Sequence, residues 1–392
     1  LGAGIFHKMK IDVNARKNKK KLTGCLVMVG KPEVNVDLLY ATGFQAPDDV
    51  VYLQRHRRRV LVVSELEYGR AVRTCSGLKV YTPKQLGLDW PQARSVVNWA
   101  VALLRKEKCR TCVMPEWTAV GIKRGLEREG VGVEIGAGNI LRRRSCKSEE
   151  EIEQIRLAQQ AAVKAMRMAA AMIKASEPRR DGVLSLNRRI LTSEWVRSEI
   201  EKALLEHQCA TPGGTLVAGG VQAVDPHEAG QGPLLARQPI VIDIFPRLKT
   251  SGYWGDLSRT YIKGTPTVEL QRMYSAVRRA QSEALKLVRP RMQGSTIHAR
   301  VCEVFESSGF RTERVDGKPT GFIHSTGHGV GLDIHEDPRL SRSAGRLRKG
   351  QVITVEPGLY YPKLGGIRIE DTVVVTATGY ERLASMSRQW RL

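Results

Sequence analysis

Five side chains able to ligate a metal, Asp243, Asp256, His328, Glu356 and Glu370, stand in or beside apolar, strand-like runs. An ionised carboxylate buried in such a setting is expensive unless it is paired or holds a cation. Asp243 lies in IVIDIF and Asp256 just before LSRTYI, with a loop containing Gly252 and Gly255 between them. If the two runs pair as a hairpin, both carboxylates can face one cavity. Two close like charges repel unless one is protonated or a cation sits between them, and a divalent metal resolves the conflict. Glu356 ends QVITVE, and Glu370 follows GIRI with Arg368 on the same strand face by the two-residue period. His324 and His328 share a face if their segment is extended. Four carboxylates with one imidazole suit two closely spaced divalent ions bridged by carboxylates, a pair that clamps a hydroxide and polarises an attacked carbonyl. A carboxylate beside that nucleophile can act as general base. One such residue alone reads as a surface acid or a partner for an arginine; five in strand-like sequence do not.

The elements that must position these residues fall into two groups. CLVMVG, DLLYATGF, VVYLQ, RRVLVVS, LKVY and VGVEIG read as strands, with WPQARSVVNWAVALLRKE and WTAVGIKRGLEREG as helices between them. This alternation predicts a small α/β domain over residues 22–146, after a basic arm over residues 1–21. It holds no chemistry of its own: no GxGxxG or P-loop pattern occurs. From Lys147 a capping box, Ser148 with Glu151, opens a long helix with an apolar stripe of Ile152, Ile155, Ala158, Ala162 and Met166. A second helix follows a cap at Thr192 or Ser193, and two more run over TVELQRMYSAVRRAQSEALKLVRP and STIHARVCEVFESSGF. Paired helices around a mixed or antiparallel sheet make residues 147–392 an α+β domain.

Composition narrows the class. A chain of 392 residues, 42% hydrophobic and 26% charged, is that of an ordinary globular protein. No apolar run approaches the roughly 18 residues of a membrane span, so no membrane partner is expected, and the first residues lack a signal-peptide pattern. The net charge of +23 includes basic runs at Arg16–Lys21, Arg55–Arg59 and Arg142–Arg144. Those arginines are spread without aromatic interleaving, so nucleic-acid binding is not the expected role. Seven scattered cysteines suggest reduced thiols and a cytoplasmic address. Cys109 and Cys112 form a CxxC with no second pair to complete a zinc set.

The segments DIF…SGYWGDLSRT, HSTGHGVGLDIHE, VEPGLY and GIRIEDTVVV resemble those of the metallopeptidase superfamily that includes aminopeptidase P, prolidase, methionine aminopeptidase and creatinase, over about residues 150–380. The preceding part, with DLLYATGF and RRVLVVS, is similar to the accessory domain of the prolidase and aminopeptidase P branch. The resemblance implies a "pita-bread" catalytic domain with two divalent ions, manganese first, with cobalt, zinc or iron as alternatives. By it Asp243 binds one ion, His328 the other, and Asp256 and Glu370 bridge them, while Glu356 ligates a metal and receives the proton of the attacking water. His227, His324 and His335 match histidines that contact the scissile amide, the tetrahedral intermediate or the residue after the cut. Arg368 supports the site electrostatically and Tyr253 lines it. The implied reaction is cleavage between an N-terminal residue and a following proline in a peptide, as an Xaa-Pro aminopeptidase, with prolidase (dipeptides only) as the alternative and a noncatalytic binding member of the fold as a third reading. A homodimer is also implied. This chain departs from the pattern in one place: Asp243 and Asp256 are 13 residues apart, about two more than usual, and DIFPR replaces the customary DxG, a change that could carry Arg247 and Lys249 toward the pocket mouth.

Overall fold

Short apolar runs separated by turns build the first part of the computed structural model, which describes residues 25–136 and 142–392. The basic arm expected over residues 1–21 lies outside the described residues. Strands β1 (Cys25–Gly30), β2 (Val50–Arg55), β3 (Arg58–Val62), β4 (Lys79–Tyr81), β5 (Thr111–Pro115) and β6 (Gly132–Gly136) form one sheet in the order β4-β3-β2-β1-β5-β6. The central β1, β2 and β3 pair antiparallel, while β3/β4, β1/β5 and β5/β6 are parallel. Helices α1 (Val36–Thr42), α2 (Glu65–Thr74), α3 (Val96–Lys106) and α4 (Val120–Arg128) connect them.

Two expectations change here. DLLYATGF is a helix, not a strand: Asn35 caps the Leu38 N–H, and Gly43 closes the last turn at φ 64°, in the left-handed region open to glycine. All of Leu38–Thr42 is buried, so the run carries no amphipathic period to separate helix from strand. The cysteines are not all reduced thiols: Cys25 and Cys109 form a disulfide across 84 residues of sequence. The parallel pairing of Cys25 with Cys112 carries Cys109, three residues upstream, to the start of β1.

The chain divides into two compact units between Arg144 and Ser145. In the second unit α5 (Glu149–Ala175) opens with the capping box, both halves of which form. A small meander, β7 (Glu177–Pro178), β8 (Leu184–Leu186) and β9 (Arg189–Ile190), leads to α6 (Ser193–Glu206), capped by Thr192. Then come β10 (Cys209–Ala210), β11 (Leu216–Gly219), β12 (Ile240–Ile244), β13 (Arg247–Leu248) and β14 (Leu257–Tyr261). The second half repeats the scheme with α7 (Val268–Leu287), α8 (Gly294–Ser307), β15 (Glu313–Val315), β16 (Lys318–Thr320), β17 (Gly327–Gly329), β18 (Glu336–Leu340), β19 (Val352–Val355), β20 (Gly358–Tyr361), β21 (Gly365–Arg368), β22 (Asp371–Val375) and β23 (Tyr380–Arg382).

Each half buries a helix pair against an antiparallel sheet. The apolar faces of α5 and α6 pack on Val217, Ile240, Ile242, Ile244 and Leu257 of the β11-β12-β14 sheet. Those of α7 and α8 pack on Ile353, Val355, Val373 and Val375 of the β18-β17-β19-β22-β23 sheet and on Ile367 of the β20-β21 ribbon. This duplicated α+β arrangement is the pita-bread fold. The run after β23 is pinned to β14: the Ile262 N–H donates to Trp390 O at 2.8 Å, the Leu392 N–H to Ile262 O at 2.9 Å, and buried Arg259 to Met386 O and Ser387 O at 3.0 and 3.1 Å. No helix among the described residues is long and apolar enough to cross a membrane.

Candidate metal centre

The two carboxylate-bearing runs pair as the sequence requires. Strands β12 and β14 are antiparallel, with Asp243 opposite Ser258 and Ile244 opposite Leu257, so Asp256 enters one residue before the ladder closes. The lengthened connection folds as its own turn: β13 pairs with β10, and Arg247 Nε donates to Gly252 O at 3.1 Å. In the second half, β19 and β22 align Val355 with Asp371, which sets Glu356 and Glu370 at adjacent strand ends. The Glu356 N–H donates to Thr326 O at 2.9 Å within the second half, and a backbone bond crosses between the halves from Glu370 N–H to Ser258 O at 3.0 Å.

His328 sits in β17, where Gly327 must be a glycine, because a Cβ there would lie 2.0 Å from Thr354 O. Its backbone N–H donates to Thr354 Oγ1 at 3.0 Å and its Nδ1 faces Gly329 O at 3.2 Å. A proton on Nδ1 satisfies that carbonyl, leaving Nε2 to face Glu356 Oε1 at 3.3 Å and Asp256 Oδ2 at 3.5 Å. One ligand atom each of Asp256, His328 and Glu370 lies within 4.8 Å of the others. Asp243 Oδ1 is buried with no hydrogen-bond partner, an arrangement that costs free energy unless a cation completes it. The donor set, oxygens with one imidazole nitrogen, therefore fits divalent ions.

Two glutamines missed in the sequence hold this geometry. Gln159 of α5 accepts from the Asp256 N–H and donates to Asp256 O, both at 2.8 Å. Gln281 of α7 donates its amide protons to Val355 O and Ile369 O, at 3.1 and 3.2 Å, the residues preceding Glu356 and Glu370. Both are fully buried on otherwise apolar faces. A glutamine within an alanine-rich stripe was the available signal.

Electrostatics follow from the crowding. Burial, then the charges of Asp243 and Glu356, hold Asp256 well above the usual carboxylate range. Burial and the charges of Asp256 and Glu356 do the same to Glu370. Burial would raise Glu356 too, but the hydrogen bond and charge of His328 override it and bring Glu356 down to about 2. For His328 burial opposes the charged form, yet Glu356 and Asp256 outweigh it and raise the imidazole to about 9. Protonated His328 is thus the cation of the metal-free cluster.

Arg368, buried beside it, binds Asp243 Oδ2 at 2.7 Å, Ser258 Oγ at 2.9 Å and the Tyr360 hydroxyl at 2.9 Å. Tyr360 in turn meets His324 Nε2 at 3.0 Å, while His324 Nδ1 faces Ser325 O at 2.8 Å. Both nitrogens of His324 are therefore engaged within the protein, one of them through a tyrosine that nothing in VEPGLYY singles out. Burial lowers His324. His335 stands with its ring 4.3 Å from that of His328, edge to face; burial and then the charge of His328 lower it to about 4. His227 lies exposed on the loop after Gly220–Val224, its backbone N–H donating to Asp225 Oδ1 at 3.0 Å, within electrostatic reach of both His324 and His335. Tyr253 donates to Glu151 of α5. Behind His335, Glu336 forms a buried ion pair with Lys147. A cavity of about 520 Å³ reaches His324, walled by Phe305, Phe310, Phe322 and Arg342.

Residues 153–377 match the family described as metallopeptidase family M24. The chain is 36% identical over 176 residues to the Xaa-Pro dipeptidase of Pyrococcus furiosus, an alignment that takes in 45% of this chain and 48% of that protein; the chain spans about half the length of the curated relatives it matches first. Among solved structures it is similar to the prolidase from Pyrococcus horikoshii OT3, with TM-score 0.77 and 26% identity over 94% of this chain and 95% of that one. It also shares its fold with the X-Pro aminopeptidase from Thermotoga maritima MSB8, with TM-score 0.79 and 22% identity over 94% and 97% of the two chains.

Proposed function

Since this chain belongs to metallopeptidase family M24, whose chemistry uses divalent metal, we propose that it hydrolyses the bond between an N-terminal residue and a following proline. The observation that carries the reading is the convergence of Asp256, His328 and Glu370 on one point, with ionised Glu356 against His328. Two divalent ions would be held by Asp243, Asp256, His328, Glu356 and Glu370. Bound there, the ions supply a Lewis acid for the scissile carbonyl and acidify water.

The side chains do the rest. Glu356, low in pKa beside a buried cluster, is ionised at neutral pH and receives the proton of the attacking water. His335 is neutral at that pH and its ring forms no hydrogen bond among the described residues; it meets the substrate, with His227 at the rim. His324 acts with Tyr360 and Arg368, whose guanidinium offsets the carboxylates without leaving Asp243 unpaired. A proline nitrogen offers no N–H to recognise, so such a site selects by shape and by donors aimed at carbonyl oxygen.

The sequence alone puts an aminopeptidase first and a prolidase second. The name of the Pyrococcus furiosus relative and the 26%-identical prolidase structure support the dipeptidase more, since the aminopeptidase neighbour lends only its fold. Hydrolysis of Gly-Pro and of Arg-Pro-Pro in added manganese tests both points: a dipeptidase cleaves the first and spares the second, an aminopeptidase cleaves the second, and cleavage of neither refutes the proposal. Manganese is the proposed metal, with cobalt, zinc and iron as comparison ions in the same assay, and a homodimer is the proposed assembly, read by light scattering. The cytoplasmic setting expected from reduced thiols loses that support with the Cys25–Cys109 disulfide.

A further inference from the structure

The net charge of +23 is large, and part of it is concentrated. A cavity of about 460 Å³ lies between α7 and the run after β23, sharing no lining residue with the candidate metal centre. Four arginines line it, Arg278 and Arg279 from α7 and Arg388 and Arg391 from the run, together with the hydroxyls of Ser275 and Ser282. On α7 the spacing of 275, 278, 279 and 282 keeps these side chains on one helix face.

Among the described residues no acidic side chain lines this cavity. Arg279 bonds only to neutral oxygens, Val304 O at 3.3 Å, Ser307 Oγ at 3.3 Å and Ser308 Oγ at 2.6 Å. Arg391 reaches Thr265 Oγ1 at 2.9 Å, and Arg278 forms no hydrogen bond or ion pair among the described residues. Arg388 does meet a carboxylate, Asp371 at 2.9 Å, but Asp371 is already bound by Arg259 at 2.7 Å and Arg382 at 3.1 Å. Asp371 is thus outnumbered by its own arginine partners. Four guanidiniums held together with only one shared carboxylate beside them repel, and forked N–H donors of this kind match phosphoryl oxygens. Tyr274 stacks on Trp390, ring centroids 4.3 Å apart, and both rings are buried, so neither offers an open face to a nucleobase.

We propose that this cavity is a binding site for a multivalent phosphate anion, recognised through its phosphoryl oxygens alone. The ligand is of pyrophosphate or oligophosphate size, either free or as successive phosphates of a nucleic-acid backbone. The site acts apart from peptide hydrolysis and does not rest on that assignment.

The test is calorimetric titration of the metal-loaded full chain with pyrophosphate and, separately, with a short single-stranded oligonucleotide, at physiological ionic strength. The comparison is the double variant Arg278→Ser/Arg391→Ser, whose two positions are exposed, checked by its melting temperature and its unchanged rate on Xaa-Pro peptide. Pyrophosphate should bind the wild-type chain and bind the variant about a hundredfold more weakly, at about tenfold or more for each charge-assisted hydrogen-bonding arginine removed. If the oligonucleotide binds more tightly than pyrophosphate and weakens by the same factor, the phosphates come from nucleic acid; if it does not bind, the anion is free. Equal binding of pyrophosphate to wild type and variant would mean that it sits at the metal ions or elsewhere, and would overturn the proposal, as would no binding by the wild type.

Discussion

Stripping the metal from the cluster should make the protein's stability fall as pH rises above neutrality, and should make metal affinity fall as pH drops. Both follow from His328. In the metal-free site its imidazole is raised from 6.5 to about 9 by the carboxylates of Glu356 and Asp256, against the opposing effect of burial. A group raised in the folded state contributes stability that is fully present below its unfolded value of 6.5 and is lost as pH climbs through about 9. At about 1.4 kcal/mol per pH unit, the whole effect is about 3 kcal/mol. Asp256 and Glu370, also raised by burial and like charge, act in the same direction. Lowered His324 and His335 have lost their protons in both states above pH 7 and contribute nothing there. A metal ion needs His328 neutral, so it must displace that proton, at a cost of up to about tenfold in affinity per pH unit below about 9. Calorimetric titration of chelator-stripped protein with manganese should therefore give affinities about thirtyfold weaker at about pH 6.5 than at about pH 8. The apparent enthalpy should vary with the ionisation enthalpy of the buffer, as protons are released. Thermal melts of stripped protein should drop between about pH 7 and 9, and those of loaded protein should not. Affinity that is flat across this range, or a stripped protein that melts higher at the alkaline end, would refute the picture of His328 as the stand-in cation.

Four further outcomes are expected. Glu356→Gln should lower kcat for Xaa-Pro cleavage by about 100-fold to 10,000-fold, the usual worth of a positioned general base; a variant within a factor of two of wild type would remove Glu356 from that role. Lys147→Met removes the ion-pair partner of the buried Glu336 carboxylate, which should cost about 3–5 kcal/mol in denaturant unfolding, and Lys147→Met/Glu336→Gln should recover part of it. Gln159→Leu removes both bonds to the Asp256 backbone and should cost about 1–3 kcal/mol of stability with a measurable loss of metal affinity, whereas a stable variant of normal affinity would show that Asp256 needs no such clamp. Tyr360→Phe should lower the rate on Xaa-Pro peptide while leaving the melting temperature of loaded protein within a few degrees, because Arg368 keeps Asp243 and Ser258.

What the sequence disclosed was what is written locally. The five candidate ligands stood out because charged residues interrupt apolar strands, and the β12–β14 pairing followed from two such runs flanking a glycine-bearing loop. The capping box at Ser148 and Glu151 and the stripe on α5 were legible for the same reason: helix ends and faces are set within a few residues. Features that depend on distant partners stayed hidden. Cys25 and Cys109 are 84 residues apart, Lys147 and Glu336 are 189 apart, and neither pair leaves a mark in its own neighbourhood. DLLYATGF misled because every residue from Leu38 to Thr42 is buried, which erases the period that separates helix from strand. Tyr360 stayed hidden because an aromatic residue in a strand is ordinary; its hydroxyl acquires meaning only between Arg368 and His324.

The tie between β14 and the run after β23 bears on how the protein is made. Asp256 and Arg259 belong to a stretch whose far end, Ile262, is hydrogen-bonded to Trp390 and Leu392, and Arg259 closes on Met386 and Ser387. On the ribosome the chain emerges from its N-terminal side, so residues 25–136 can finish their sheet while the last partners of β14 are still unmade. The last hydrogen bonds to this stretch form only once residue 392 has cleared the exit tunnel. A ribosome stalled before that point would display the scaffold with the far end of β14 still unpartnered.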